Sequence, residues 1–305
     1  MADKVRKATD KELAKLEKQI SGIYKKSTKD LTKNWDAYMK ESAKAINEYE
    51  KAYYDALKLD DAAKIKKAKK EFENAMLEQT FMDDHYRIML DDMTTRLANT
   101  NNIALAYAND KMPEVYAMNY NAIAPTANSL GIDFSIVNEH TVRNMVKAGD
   151  IKLPYKNLNK LKDKRWNTKQ LNSAVLQGIM QGESMDKIAK RIYPIVDRNE
   201  AAAIRNARTM VTGAENQGRL DSYYELQEEG AVIQKVWITT IDNRTRTSHE
   251  LMNEEAVDID EEFSNGLMYP GDPDGDDESE IYNCRCTMTI KVVGFKDNDG
   301  NINYL

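Results

Sequence analysis

The sequence has few of the residues that build cross-linked or membrane-embedded proteins. It contains two cysteines, three histidines and six prolines in 305 residues. A disulfide between Cys284 and Cys286 would close almost no loop, so a disulfide framework is excluded. No apolar run approaches the roughly eighteen residues that a membrane span needs, and the segment from Met1 is charged where a signal peptide has an apolar core. We therefore expect a protein that is made and used in a reducing cytoplasm, or in a compartment assembled there, with no membrane partner during assembly.

Charged residues are abundant, and their signs are unevenly distributed. They make up 31% of the chain, which is typical of a soluble, helix-rich protein with a large solvated surface. Residues 242–280 contain two arginines and fourteen acidic residues. Residues 64–70, in contrast, contain five lysines. These lysines spread around a helix at about 100° per residue, which weakens the case for a directed phosphate-binding face and favours a solvated one.

The N-terminal third has the apolar spacing of long amphipathic helices. Apolar residues recur at intervals of three or four between Leu13 and Leu57, with an expected interruption near Ser27, and helical spacing continues to Leu97. This pattern predicts a long helical arm or hairpin over residues 1–110. The apolar stripe is narrow, so we expect it to pack against another helix or another subunit.

Beyond residue 99, Asn-rich and Pro-containing segments predict an irregular connecting region with a short helix over residues 111–165. Asn138 is placed to cap that short helix, and Gly149 to end it. The next predicted helices are one from about Asn167, one ending at Ile192, and one from Asp197 to Gly230. Two β-branched segments, 232–241 and 287–293, predict neighbouring strands. The fold class is therefore α+β, in which the helical N-terminal part precedes a compact helical and small antiparallel β domain at residues 166–305.

The acidic segment begins with a turn that carries two arginines. Asp242 directly follows the first predicted strand and favours an Asx turn. Arg244 and Arg246 would share a face in an extended chain and could then clamp loop carboxylates such as Asp272 or Glu280. A phosphate or nucleic-acid contact by the same arginines is the alternative, and the surrounding negative charge disfavours it.

Both cysteines lie near one histidine in this part of the chain. His249, Cys284 and Cys286 could provide three ligands of a zinc site, with Asp242 or a water as the fourth, because extended residues at i and i+2 share a face. Zinc motifs usually show Cys-x-x-Cys, so the sequence favours buried free thiols beside a hydrogen-bonded histidine, with no cofactor. The aspartates and glutamates of 272–280 similarly fail the spacing of a calcium loop.

Catalytic templates are largely missing. The chain has no Gly-x-Ser-x-Gly, P-loop, His-Glu-x-x-His or dinucleotide fingerprint. Two enzymatic alternatives stay open: a nucleophile pair of Cys284 or Cys286 with His249, and a Glu278-x-Glu280 pair of the kind seen in ADP-ribosyltransferases.

Over residues 165–295 the sequence resembles the phage Mu protein F-like family of minor head proteins, also called phage head morphogenesis proteins. The resemblance rests on an ordered series of motifs, which are Ile204-Arg205-Asn206-Ala207-Arg208-Thr209, Ala214, Asn216, Gly218-Arg219-Leu220, Trp237-x-Thr239-x-x-Asp242-x-Arg244-Thr245-Arg246-x-x-His249, Phe263, Tyr269-Pro270-Gly271-Asp272-Pro273 and Asn283-Cys284-Arg285-Cys286. One departure is Asn253-Glu254, which stands where the family often has an Asp-Gly turn.

The resemblance implies a non-enzymatic structural protein of a tailed-phage head. It implies association with the portal protein, and a role in head morphogenesis, DNA packaging or DNA delivery. The expected location is the virion, in the head interior or at the portal vertex, after assembly in the host cytoplasm. Scaffolding protein, major capsid protein and genomic double-stranded DNA are further candidate partners.

We interpret the motif residues as a structural lock that holds the acidic loop on the two strands. They are Trp237, Asp242, Arg244, Arg246, His249, Pro270, Asp272, Asn283, Cys284, Arg285 and Cys286. The alternative functions are a metal-dependent or transferase enzyme module and a DNA-binding protein that accompanies the genome. The candidate DNA-binding residues are Lys64, Lys66, Lys67, Lys69 and Lys70.

Overall fold

A computed structural model describes residues 2–59, 61–81, 84–157, 160–181, 185–297 and 301–304. Helices dominate this part of the chain, and a single small sheet lies near its C-terminal end. The α-helices are α1 (Ala2–Leu57), α2 (Ala62–Phe81), α3 (Asp84–Tyr120), α4 (Ala124–Ser129), α5 (Glu139–Ala148), α6 (Lys160–Met180), α7 (Met185–Glu228), α8 (Thr247–Leu251) and α9 (Glu278–Ile281). A short 3-10 helix, Asn121–Ile123, precedes α4. The α+β class predicted from the sequence is confirmed.

The sheet is antiparallel throughout, in the order β2-β1-β3-β4. Its strands are β1 (Ala231–Ile238), β2 (Ala256–Asp258), β3 (Thr287–Lys296) and β4 (Ile302–Tyr304). The two predicted strands are the central pair β1 and β3, and Trp237 lies opposite Met288. Alternate residues of β1 are buried, as expected for a strand with one face on the core. The sequence did not predict β2 and β4, which have only three residues each.

The chain forms two compact units that are not consecutive in sequence. One comprises Met1–Ile20, Ala104–Asn157 and Ala202–Leu305, and the other comprises Ser21–Ile103 and Leu158–Ala201. We call the first the sheet unit and the second the helical unit. The three-part division made from the sequence stays a prediction.

The helical unit buries the apolar stripe of α1. Leu31 and Trp35 of α1 are fully buried, as is Leu97 of α3. A chain of polar contacts crosses the same unit, in which the Tyr24 hydroxyl donates to Asn101 Oδ1 at 2.6 Å and Asn101 Nδ2 donates to Asn199 Oδ1 at 2.8 Å. The stripe therefore packs against another helix, as its narrow width indicated.

Among the described residues of the sheet unit, two apolar clusters lie against opposite ends of β1. One contains Ile233, Tyr223 and Leu226 with their neighbours from α7 and β3. The other surrounds Trp237 and includes Phe263 and both cysteines. Both cysteines of the chain therefore lie in the apolar core of the sheet unit.

Three expected helix breaks are wrong. Helix α1 continues through Ser27, α3 continues through Pro113 to Tyr120, and α7 continues through Pro194 where two helices were expected. Tertiary contacts override the local signals. In α3, for example, the buried Asn119 donates at 3.0 Å to Thr9 of α1, so an asparagine that suggests a loop instead holds two helices together.

The short helix α5 matches its prediction. Asn138 Oδ1 accepts a hydrogen bond from Thr141 N at 2.9 Å, which is the expected N-cap, and Gly149 ends the helix with a left-handed φ of 88°. None of the helices described here is both long and apolar enough to cross a bilayer.

Candidate functional site

The segment after β1 forms the predicted Asx turn. Strand β1 ends at Ile238, and Thr239 N then donates to Asn253 Oδ1 at 3.1 Å. Asp242 Oδ1 accepts from Arg244 N at 2.8 Å, and its carbonyl accepts from Thr245 N at 3.1 Å. This turn leads directly into α8.

The prediction that Arg244 and Arg246 clamp carboxylates of the acidic loop is wrong. Arg246 Nη2 donates to the carbonyl oxygen of Tyr282. Arg244 is 67% exposed, and its Nη2 lies 3.9 Å from Asp242 Oδ2, a separation at which an exposed pair contributes little. The reason is the Asx turn itself, because a turn does not place residues i and i+2 on one face.

Asp242 is instead paired with Arg285. The two guanidinium nitrogens of Arg285 contact both carboxylate oxygens, with Nη2 at 2.7 Å from Oδ1. The Arg285 guanidinium holds the pKa of Asp242 well below its usual range. The carbonyl of Arg285 accepts from Arg6 Nη2 at 3.4 Å and from the Thr240 hydroxyl. Through Arg285, helix α1, the Asx turn and the segment that carries both cysteines are thus in contact.

The side chain of Asp272, in the Tyr-Pro-Gly-Asp-Pro turn, accepts hydrogen bonds from backbone groups on either side of it. Its side chain is buried, and it accepts from Met268 N at 3.1 Å through Oδ2 and from Asp274 N at 3.0 Å through Oδ1. The same turn approaches α7 backbone to backbone, since a Cβ on Gly213 would lie 2.8 Å from the carbonyl oxygen of Gly271. The acidic loop therefore packs directly against α7 at these two glycines.

Asn216 of α7 connects this turn to β3. It is fully buried, and its Nδ2 donates to Pro270 O at 3.1 Å and to Cys286 O at 3.2 Å. Its Oδ1 accepts from Met288 N at 3.1 Å and from the Thr287 hydroxyl at 3.2 Å. One amide side chain thus satisfies backbone groups of two separate segments.

One turn further along α7, a buried ion pair reaches the same strand. Arg219 Nη2 lies 3.3 Å from Glu215 Oε1, and Arg219 Nη1 donates to Met288 O at 3.3 Å. The Thr287 hydroxyl donates to Glu215 Oε1 at 3.0 Å, and burial raises the pKa of Glu215. Both charges have partners, which buried charges require.

A third set of α7 contacts holds the cysteine segment. Asn283 adopts a left-handed φ of 58°, and its backbone N donates to the Thr209 hydroxyl at 2.9 Å. The Thr212 hydroxyl donates to Cys284 O at 2.8 Å. Helix α7 therefore fixes the backbone on which both cysteines stand.

His249, Cys284 and Cys286 meet in the core beside Trp237. His249 Nδ1 lies 3.6 Å from Cys284 Sγ and 3.4 Å from Cys286 Sγ, and the three side chains are only 1–3% exposed. Cys286 N donates to Cys284 Sγ at 3.4 Å. The Cys284 thiol donates to Cys286 and lowers the pKa of Cys286, while the pKa of Cys284 is raised by the same contact and by burial.

Glu280 faces the other side of the histidine ring. Its Oε2 lies 2.8 Å from His249 Nε2, although the atoms lack the directional geometry of a hydrogen bond. Each Glu280 carboxylate oxygen accepts from the Ser248 hydroxyl at 3.1 Å. In the tautomer protonated at Nε2, the Nδ1 lone pair would face the two sulfurs.

Asp242, which the sequence offered as a fourth metal ligand, is not part of this cluster. Among the described residues, the only group of three or more His, Cys, Asp or Glu ligand atoms that could hold a metal ion is the histidine with the two cysteines, whose ligand atoms all lie within 4.8 Å of one another. The reason is the bidentate pairing of Asp242 with Arg285.

The sequence assigned no role to the α7 residues that build this site. Thr209, Asn216 and Arg219 were recognised as parts of the family motif, but Thr212 and Glu215 were not, and none of these residues gave a signal of its partners. Their spacing of three or four residues marks one helical face, and a polar stripe on an otherwise buried face is the signal that could have identified them.

The candidate DNA-binding lysines lie on α2, in the helical unit. The five side chains are exposed. Three pair within the helix or its first turn: Lys64 Nζ lies 3.4 Å from Asp61, Lys67 Nζ 3.9 Å from Glu71, and Lys69 Nζ 3.7 Å from Glu73. These acidic neighbours reduce the local positive potential, so DNA binding stays a prediction.

The turn at Asn253-Glu254 forms despite its departure from the family pattern. Glu254 has a φ of 67°, a left-handed conformation that favours glycine, and its backbone N donates to Trp237 O at 2.9 Å. Its side chain is exposed. Tertiary contacts to β1 therefore hold a residue that is poorly suited to the turn.

Replacing Glu254 by glycine is expected to raise the free energy of unfolding by about 0.5–1 kcal/mol. The left-handed conformation costs a side-chain-bearing residue about 1–2 kcal/mol, and the greater freedom of glycine when unfolded offsets part of the gain. Urea denaturation followed by circular dichroism measures the change. Asn283→Gly is the matched control, since asparagine tolerates this conformation and should change little. A destabilised Glu254→Gly variant would contradict the assignment.

Comparison with known proteins finds similarity to a phage family over the region that contains this site. Residues 169–289 match the family model described as Phage Mu protein F like protein, which confirms the assignment made from the motifs. The chain is 25% identical over 286 residues to the minor head protein GP7 of Bacillus phage SPP1, covering 92% of this chain and 86% of that protein.

A second relative is named for an enzymatic activity. The chain is 31% identical over 169 residues to the NAD(+)--arginine ADP-ribosyltransferase EFV of Enterococcus faecalis (strain ATCC 700802 / V583), covering 55% of this chain and 34% of that protein. The chain thus spans about a third of this relative's length. A computationally designed three-helix bundle aligns at 16% identity over 75% of this chain and 94% of its own, with a TM-score of 0.16, too low to bear on the fold.

Proposed function

We propose that this chain, whose residues 169–289 belong to the Phage Mu protein F like family, is a structural minor head protein of a tailed phage. The observation that carries the proposal is the similarity to GP7, which extends over most of both chains and so includes the N-terminal helices as well as the Mu F-like region. The location that follows is the virion, at the portal vertex or inside the head.

Association with the portal protein is the specific role proposed within the head. Through that association the chain would act in head morphogenesis, DNA packaging or DNA delivery. Support comes from the construction of the sheet unit, where α7, the acidic loop and β3 are joined by buried polar contacts. Such a rigid module is suited to a fixed place in an assembly.

We assign no catalytic activity to the site. His249, Cys284 and Cys286 are 1–3% exposed, which leaves a substrate no access to the nucleophile pair considered from the sequence. The Glu278-x-Glu280 alternative is disfavoured because the Glu280 side chain is only 16% exposed and its carboxylate accepts from Ser248 beside His249. The similarity to the Enterococcus transferase still warrants a direct assay for transfer of labelled ADP-ribose, and transfer by the purified chain would contradict this assignment.

Co-assembly with portal protein tests the proposed function. The full chain is expressed with a tagged portal protein, the scaffolding protein and the major capsid protein of its phage, and nuclease-treated procapsids are purified by sedimentation. The chain is expected to sediment with procapsids and to be captured with the portal after they are disrupted. Its absence from both fractions would overturn the proposal.

A charge-reversed variant separates portal association from DNA binding. Lys66→Glu with Lys70→Glu alters two exposed side chains of α2, and portal capture is expected to be unchanged. If capture instead disappears both in this variant and after nuclease treatment, DNA is the bridge and the alternative function is favoured. DNA-mediated retention should also fall steeply with salt.

A further inference from the structure

We infer that His249, Cys284 and Cys286 bind a zinc ion that fastens the acidic loop to the sheet. The inference rests on the arrangement of ligand atoms and does not depend on the proposed head function. The sequence alone favoured free thiols, because Cys-x-Cys is not the usual knuckle.

The spacing of the three ligand atoms suits tetrahedral zinc. Zinc binds imidazole nitrogen at about 2.0–2.1 Å and thiolate sulfur at about 2.3 Å, which places N and S about 3.6 Å apart at a tetrahedral angle. His249 Nδ1 lies 3.6 Å from Cys284 Sγ and 3.4 Å from Cys286 Sγ. Thiolate and imidazole ligands are also the set that selects zinc over harder divalent ions.

A carboxylate lies beside the histidine, as one does in many known metal sites. A metal-bound histidine usually directs its other ring nitrogen to a carboxylate, which sets the tautomer. Glu280 Oε2 is 2.8 Å from His249 Nε2, and Ser248 holds that carboxylate. Cys286 N donates to Cys284 Sγ at 3.4 Å, which helps to fix the position of that sulfur. Buried thiolates need a compensating charge, and a divalent ion supplies it.

The site is closed, so the zinc would be structural. The three side chains lie in the core with Trp237 and Phe263, and among the described residues no fourth His, Cys, Asp or Glu ligand atom joins them. The ion would join α8 to the start of β3, closing the segment from His249 to Cys284 that contains the acidic loop.

Metal content and cobalt substitution of the full chain test the inference. The protein purified without chelator is expected to contain zinc equimolar with the chain, and a strong chelator should lower its unfolding temperature. Replacing zinc with Co²⁺ should give a thiolate-to-cobalt charge-transfer band and visible d–d bands of tetrahedral intensity. Wild-type protein without zinc, without these bands and without a response to chelator would overturn the inference.

Three variants separate metal binding from packing. Cys286→Ser is expected to lose the zinc and the chelator response. Glu280→Gln retains the three ligands, so it should keep the cobalt bands while its metal affinity falls roughly 10- to 100-fold. Trp237→Phe is the packing control, since it touches the histidine without binding metal and should keep the bands. If Cys286→Ser fails to fold, wild-type metal content and the Glu280→Gln titration still decide.

Discussion

Replacing Trp237 by alanine is expected to lower the free energy of unfolding of the sheet unit by about 3–5 kcal/mol, the range for removing a large buried aromatic side chain. The Trp237 side chain is fully buried. Its ring packs edge-on against His249 at 5.2 Å and against Phe263 at 5.1 Å between centroids. Denaturant unfolding followed by far-ultraviolet circular dichroism measures the loss.

Trp237→Phe is the matched control for this prediction. Trp237 Nε1 has no hydrogen-bond partner among the residues that the structure describes, so phenylalanine removes volume but no hydrogen bond and keeps an aromatic face. We expect it to cost less than half as much as alanine. Equal losses in the two variants would mean that the ring contacts with His249 and Phe263 do not support the core as described.

Replacing Asn216 by alanine is expected to cost at least about 3 kcal/mol, although the change removes few atoms. The variant leaves Pro270 O, Cys286 O and Met288 N without the partner that Asn216 provides in the core. Each buried polar group left unpaired costs about 1–3 kcal/mol. Urea denaturation gives the difference, and faster hydrogen exchange at Met288 N would locate it.

Asn109→Ala is the matched comparison. Asn109 also joins two segments of the sheet unit, exchanging hydrogen bonds with the backbone of Lys156, but it is only partly buried. Water can replace its amide, so we expect a loss of about 1 kcal/mol. An Asn216→Ala variant no less stable than Asn109→Ala would show that α7 does not lock the loop onto β3.

Local patterns in the sequence predicted those elements that local interactions control. The N-cap Asn138, the helix end at Gly149 and the pairing of β1 with β3 follow from turn chemistry and β-branched composition, and the structure contains each of them. The expected breaks at Ser27, Pro113 and Pro194 failed, because contacts with distant segments outweigh the local preference for a break.

In the candidate site, too, local features were predicted from the sequence and contacts between distant residues were not. The Asx turn at Asp242 was correctly predicted from neighbouring positions in the chain. The partners of these residues could not be predicted. The turn pairs through Asp242 with Arg285, where pairing of its arginines with acidic-loop carboxylates was expected. Asn216 contacts residues that lie 54 to 72 positions away in the chain. Sequence spacing carries no information on such distances.

The α+β class, the two central strands and the family of the C-terminal region all follow from the amino-acid sequence alone. They depend on periodicity, turn preferences and an ordered motif, which are properties of residues close together in the chain. The meeting of His249 with Cys284 and Cys286, and the position of Glu280 behind the histidine, come from the fold instead. Their approach depends on how α7 packs against β3 and the acidic loop, which no local pattern encodes.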